Sequence, residues 1–566
     1  MHKPLRKKKN IPRSPKIPPA TARRSSPAVT AGVIGFAVMS VSYLVLYFLI
    51  NSSYVYTAQQ PIFFTTGRFF ADTVQYPGGL ATYFGLLLSQ CFYYNWLGAA
   101  VFVMLMGAIY ASTLILIRLI TGTLWPIGAL IPFAFLFPMH CSYFHLLEFD
   151  IKILFLCTCG IASFPIRRIK GILGTLAVTA LLLIIYAVAG ASVSIAGLVM
   201  LFCIAIYNDT RNMVSVLVSG AAGTLIIGIA YWTSLIPNPL SEIASTMTST
   251  HYGISFLPGI VLLYYAFLPL GAFFARKYGT GLRFFRGRVP ALCAFAVIVV
   301  LGFAGAIVSY DPTIERCLRF DRYAQEDKWE SILTAERGLP DPNVYDIYFL
   351  CRSLYHEDMF INDVVANPNF KGQNAMVFDM AKTPCLFSAI YNSDLFFEMG
   401  ATNLAIRWAL EAVNNYRCLT PRMLQRLTLC YASQGKIEMA RSLVDVLSTT
   451  LIGRSWARSF APLLDDSLRL ASNDEIRRLR MLEPVKAYIS WADFLPYEFR
   501  HIWLHSRTFN KMAFEYSLAL VPELLNEDIA FTDLTAKCRA GDGISCLKIK
   551  NDFANTRLMY DFSEGK

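Results

Sequence analysis

Two short stretches hold the residues whose types and spacing can do chemistry. The first, Asn51 to Trp96, is aromatic and amphipathic, and its only charged side chains are Arg68 and Asp72. The second, His140-Cys141-Ser142-Tyr143-Phe144-His145-Leu146-Leu147-Glu148-Phe149-Asp150, brings two imidazoles and two carboxylates together. Such a cluster can hold a hard cation on the oxygens of Glu148 and Asp150, or meet a phosphate through protonated His140 and His145. Arg68 can do the latter too. Plainer roles compete at every position. Asp72 can cap an interfacial helix or pair with Arg68 one turn away, and His140 and His145 can be interfacial polar residues. Glu148 and Lys152 have the spacing of an intrahelical ion pair. In a later loop, Glu242 and His251 are candidates by position alone.

The elements that must position these residues are read from composition. The chain has 566 residues, 55% of them hydrophobic and 16% charged, with a mean hydropathy of +0.44. That balance points to a polytopic membrane protein. Apolar runs at Val29 to Ile50, Leu97 to Ile120, Trp125 to Met139, Leu146 to Phe164, Ile172 to Ala189, Val193 to Tyr207, Val214 to Ile236, Ile254 to Phe274 and Ala291 to Val308 predict about nine spans. Arg118, the group Arg167, Arg168 and Lys170, then Arg211, then Arg276 to Arg288 fall on alternate loops. Basic loops favour the cytoplasmic side, so the N-terminus is expected inside and everything after Tyr310 outside. The net charge of +12 is therefore a topology signal and not a nucleic-acid patch. Residues 1–27, basic and proline-rich without one acid, read as a disordered cytoplasmic tail. Residues 28–309 form the membrane part. Within it, Gln59 to Val74 predicts one short helix along the outer interface, Tyr76-Pro77-Gly78-Gly79 a break, and Leu80 to Tyr94 a second helix.

Residues 310–566 have the composition of a soluble domain. Asp327-Lys328-Trp329-Glu330 predicts a turn into the second helix of a hairpin, and Pro421 suits a first helical position. Gly400-Ala401-Thr402-Asn403-Leu404-Ala405 and Gly435-Lys436-Ile437-Glu438-Met439-Ala440 are offset by 35 residues. This spacing resembles the tetratricopeptide repeat, so the fold expected is all-α: a transmembrane helix bundle followed by a soluble, repeat-like helical domain. Of 13 cysteines, Cys538 and Cys546 flank a turn that can close a disulfide loop. The absence of CxxC spacing disfavours a structural metal site.

No P-loop, Rossmann glycine motif, HExxH or GxSxG is present, which leaves nucleotide-driven and hydride-transfer chemistry without support. The layout of the first outer loop, with two interfacial helices after the first span and Asp72 as its acid, resembles the GT-C superfamily of membrane glycosyltransferases. The second loop, His140 to Asp150, extends the resemblance. It implies sugar transfer from a polyprenyl-phosphate donor to a protein or glycan acceptor, with Asp72 deprotonating the acceptor hydroxyl. It further implies Arg68, His140 and His145 on the substrate, and Glu148 and Asp150 on a divalent metal such as Mg or Mn. The likeness is one of layout, since many members have paired acids where this chain has Asp72 alone. A membrane part followed by outward repeats also resembles the transmembrane and tetratricopeptide-repeat O-mannosyltransferases, and the aromatic loop with Pro-Gly-Gly is similar to an uncharacterised bacterial membrane-protein family. Two functions are weighed on these grounds. One is a lipid-linked-sugar glycosyltransferase of the cell envelope, favoured by more spans than an anchor needs. The other is a non-enzymatic scaffold whose helical domain recruits envelope proteins.

Overall fold

A backbone in hydrocarbon must satisfy its own hydrogen bonds, so the long apolar runs are forced into helices. A computed structural model describes residues 27–520, apart from 167, 170, 207–209, 234–255, 279–287, 337–338, 340, 361–362, 365–375, 379–385, 416–418 and 486–494. The expected tail, the pair Cys538 and Cys546, and Glu242 and His251 lie outside the described residues.

Among the described residues the chain is helical, with isolated bridges and no named strand. The membrane part comprises α1 (Pro27–Val45, continued by a π-turn to Ile50), α2 (Ser52–Gln59), α3 (Gly67–Val74), α4 (Gly79–Ser89), α5 (Asn95–Thr121), α6 (Pro126–Leu130), α7 (Phe133–His140), α8 (Leu147–Ile166), α9 (Ile172–Ala189), α10 (Ala191–Ile206), α11 (Thr210–Trp232), α12 (Leu257–Tyr278) and α13 (Arg288–Ser309). Seven described helices are long and apolar enough to cross a membrane, and Pro126–His140 and Ala191–Ile206 are shorter apolar stretches. Large apolar side chains stand bare on these helices, Trp232 at 90% and Phe36 at 77% exposure. Water would not tolerate such a surface, and lipid covers it. Inside the bundle a few polar contacts join helices, such as the buried Thr113 and Tyr265 hydroxyls at 2.9 Å.

The first loop differs from the expected pair of helices. Gln60 takes a left-handed backbone (φ 44) and closes α2, and Pro61 follows, so the run from Gln59 to Val74 is broken into a non-helical strap, 60–66, and the short α3. Thr66 caps α3 by accepting the Phe69 N–H at 3.3 Å.

The helical domain follows in α14 (Pro312–Gln325), α15 (Trp329–Glu336), α16 (Val344–His356), α17 (Leu386–Glu398), α18 (Thr402–Asn415), α19 (Pro421–Ser433), α20 (Ile437–Ser448), α21 (Arg454–Leu464), α22 (Ser467–Ser472), α23 (Asp474–Leu482), α24 (Leu495–His505) and α25 (Lys511–Leu520). The α14–α15 hairpin and the N-terminal Pro421 of α19 agree with the sequence expectation. Gly400 and Gly435 both take left-handed backbones (φ 68 and 75), each ending one helix before the next starts. Ala405 and Ala440, five residues on, are fully buried where paired helices meet.

The two parts share a boundary. Ile62 of the strap packs into the cluster of Leu424, Val444 and Phe460, while Leu318 of α14 belongs to the membrane bundle's core. Phe144 faces Phe387 at 6.4 Å between ring centres, and Tyr143 faces Tyr310 at 6.5 Å. The first loop, the 141–146 turn and the helical domain therefore occupy one face of the bundle.

Candidate functional site

The second stretch closes on itself. Helix α7 carries Pro138 within it and ends at His140, and a turn through Tyr143, whose φ is 62, leads into α8. Gln59 at the end of α2 secures that turn: its amide donates to the carbonyls of Tyr143 and His145, both at 2.9 Å. Asp150 in the first turn of α8 then receives both imidazoles. Nε2 of His145 lies 2.8 Å from Oδ2, and Nε2 of His140 lies 3.2 Å from Oδ1. Side-chain exposure is 0% for His140 and Asp150 and 4% for His145. A carboxylate this deep is tolerated only with such partners. Phe102 lies against His140 at 4.5 Å between ring centres and seals the cluster on the bundle side.

Glu148 belongs to a different group. It sits two residues before Asp150, and such positions do not share a helix face. Its carboxylate accepts from the Thr82 hydroxyl of α4 at 2.7 Å and from Lys152 Nζ at 3.2 Å. The approach of α4 to α8 needs Gly85, where a Cβ would come within 2.9 Å of the Glu148 nitrogen. Among the described residues, those that can share one metal ion are thus His140, His145 and Asp150, with one donor atom from each lying within 4.8 Å of the others.

Asp72 and Arg68 lie on α3, one turn apart, at 3.6 Å, with side chains 62% and 91% exposed. Their helix is held by apolar contacts: Phe69 and Phe70 pack on Tyr83 of α4 at 6.0 and 5.0 Å between ring centres. The structure brings α4 to Glu148 and α2 to the 141–146 turn, while Asp72 and Arg68 pair with each other at the surface.

A further charged site escapes the sequence reading. In the helical domain a cavity of about 610 Å³ is lined by Arg352, Asp394, Glu398, Arg422, Arg426 and Arg478, among others. Arg422 joins Asp321 (3.0 Å) to Asp394, and Arg426 meets Asp394 at 2.6 Å. Arg352 donates to Glu398, its Nε at 3.2 Å, and Arg478 donates to the carbonyl of Glu398 at 2.6 Å. Burial favours the neutral acid at Glu398, yet the Arg352 charge and hydrogen bonds from His356 and Arg352 prevail and hold its carboxyl down at about 2. The available signal was spacing: Asp394 and Glu398 on α17 and Arg422 and Arg426 on α19 each recur after four residues, which puts each pair on one helix face, and both arginines reach Asp394.

No curated protein and no solved structure matches the chain. Residues 26–535, nearly all of both parts, match a family of unknown function, DUF6057, and the chain belongs to that family.

Proposed function

We propose that this multi-pass membrane protein is a platform: its helix bundle anchors, and its first loop aims, a helical domain that recruits a protein or glycan of the bacterial cell envelope. The observation that carries this reading is the fastening of the strap to the domain, where the Thr65 N–H donates to the Thr449 carbonyl at 2.8 Å and Phe64 pairs with Thr450. An anchor on a free tether would need no such contact. The closure of the His–Asp–His cluster supports it further, because His140 is wholly buried and His145 only 4% exposed, which leaves little imidazole surface for a lipid phosphate. The basic residues on alternate loops support a cytoplasmic N-terminus and an extracytoplasmic helical domain.

Glycosyl transfer from a polyprenyl-phosphate donor is the second reading, favoured by one contact. Thr82 to Glu148 joins the two loops that in GT-C enzymes share the active site. In it Asp72 is the base, Arg68 binds phosphate and Glu148 serves a Mg or Mn ion.

One experiment separates the two. Glycolipid and glycoprotein profiles are compared among a deletion strain and strains carrying the wild type, Asp72→Asn, or the chain truncated after residue 309. The platform reading expects Asp72→Asn to match the wild type and truncation to reproduce the deletion. Loss of one sugar in Asp72→Asn, at normal abundance in the membrane, would establish the enzyme instead.

A further inference from the structure

We infer that His140, His145 and Asp150 form a structural binding site for a divalent transition-metal ion of the zinc class, tying the end of α7 to the start of α8. The donors are nearly in place. An ion with ligands at about 2.1 Å in tetrahedral geometry holds them about 3.4 Å apart. Asp150 already approaches His145 at 2.8 Å and His140 at 3.2 Å, and one donor from each residue lies within 4.8 Å of the other two.

The cluster is also incompletely satisfied by itself. Both ring nitrogens of His140 and the Oδ1 of Asp150 are buried without a hydrogen bond, although Nε2 and Oδ1 stand only 3.2 Å apart. Buried polar atoms ordinarily find partners, and a cation takes the Asp150 oxygen and one nitrogen of each imidazole together. Two imidazoles and a carboxylate suit zinc, cobalt, nickel or iron, whereas magnesium and calcium prefer all-oxygen sites. This donor set differs from the carboxylate pair Glu148 and Asp150, and it needs no cysteine.

The surroundings fit a structural role. Gln59 holds the backbone at Tyr143 and His145, as outer partners do around metal ligands. Phe102 and Phe149 border the two imidazoles, at 4.5 and 6.0 Å between ring centres, and the near absence of exposure closes the site to substrates.

The test uses the full chain purified in detergent, stripped with a chelator, given Zn²⁺ or Co²⁺, and freed of excess ion. Elemental analysis should find about one zinc per chain, and cobalt should show the visible bands of a four- or five-coordinate nitrogen–oxygen site. His140→Gln and His145→Gln should each weaken binding by at least about tenfold, while Glu148→Gln keeps the ion. Zinc content equal in the wild type and the double histidine variant would overturn the proposal, as would loss of the ion in Glu148→Gln alone. The cobalt spectrum is read on the unaltered chain, so its absence overturns the proposal even where a variant does not fold.

Discussion

Thr65 directs both of its donors at one carbonyl: its N–H and its hydroxyl reach the oxygen of Thr449 at 2.8 and 3.0 Å, across 384 residues of chain. Leu451 returns the bond by donating to Phe63 at 3.0 Å, and Arg454 hydrogen-bonds the Thr65 hydroxyl. Three residues of a membrane loop, Phe63 to Thr65, thereby act as the edge against which a distant domain is registered.

That register can be locked. Directly opposed residues of an antiparallel bridge stand about 4.5–5.5 Å apart at Cα, within the range a disulfide spans. Phe64→Cys with Thr450→Cys should therefore cross-link on mild oxidation. After a protease site inserted near residue 340 is cut, the two fragments should stay joined until reductant is added. Fragments that separate without reductant would show that the strap does not hold the domain in solution.

The two equivalent glycines of the helical domain should tolerate alanine unequally. At Gly435 nothing lies within 4 Å of a Cβ, so only the left-handed backbone penalty of about 1 kcal/mol applies. At Gly400 the added Cβ would meet the Leu482 Cβ at 2.4 Å, adding overpacking of about 1–3 kcal/mol to the same strain. Gly400→Ala should lower the thermal midpoint of the full chain well beyond Gly435→Ala; equal shifts would refute the packing of α23 on this turn.

Glu398 makes the helical domain sensitive to acid. Its folded carboxyl titrates at about 2, below the ordinary glutamate value of about 4.3, so the native state favours the charged form. The resulting stabilisation is complete above about pH 4.3 and is lost as pH falls through about 2. Glu398→Gln should cost about 3 kcal/mol at neutral pH by leaving the Arg352 guanidinium buried without its anion. It should also flatten the decline of stability between pH 4.3 and 2, read from denaturant unfolding at each pH. A variant that keeps the wild-type slope would remove Glu398 as its source.

Asp72 and Arg68 should matter little to stability. Exposed pairs at helical spacing contribute a few tenths of a kcal/mol at most, and this one is open to screening by salt. Asp72→Asn and Arg68→Ala should leave the thermal midpoint unchanged within error. Any change in envelope glycans they cause can then be read as chemistry and not as loss of fold.

What was legible in the chain follows from periodicity and polarity. Long apolar runs must be helices in a bilayer, and Gly400 and Gly435 must end helices because each is followed by a fresh amphipathic run. Asp150 and Glu148 looked alike in sequence, since both are acids beside histidines in the first turn of α8. They part because a helix turns about 100° per residue, sending Asp150 into the bundle and Glu148 towards α4.

The sequence alone determined an all-helical molecule with an apolar N-terminal part, a less apolar C-terminal part, and an aromatic loop between the first two long helices. Only tertiary structure decided what that loop does. Gln60 and Pro61 break its first helix locally, but the freed strap takes its shape from donors and acceptors on Thr449 and Leu451, and Gln59 from the carbonyls of Tyr143 and His145. Partners 84 and 384 residues away leave no periodic trace in either stretch, because a hydrogen bond asks only for one donor and one acceptor and nearly every residue supplies both.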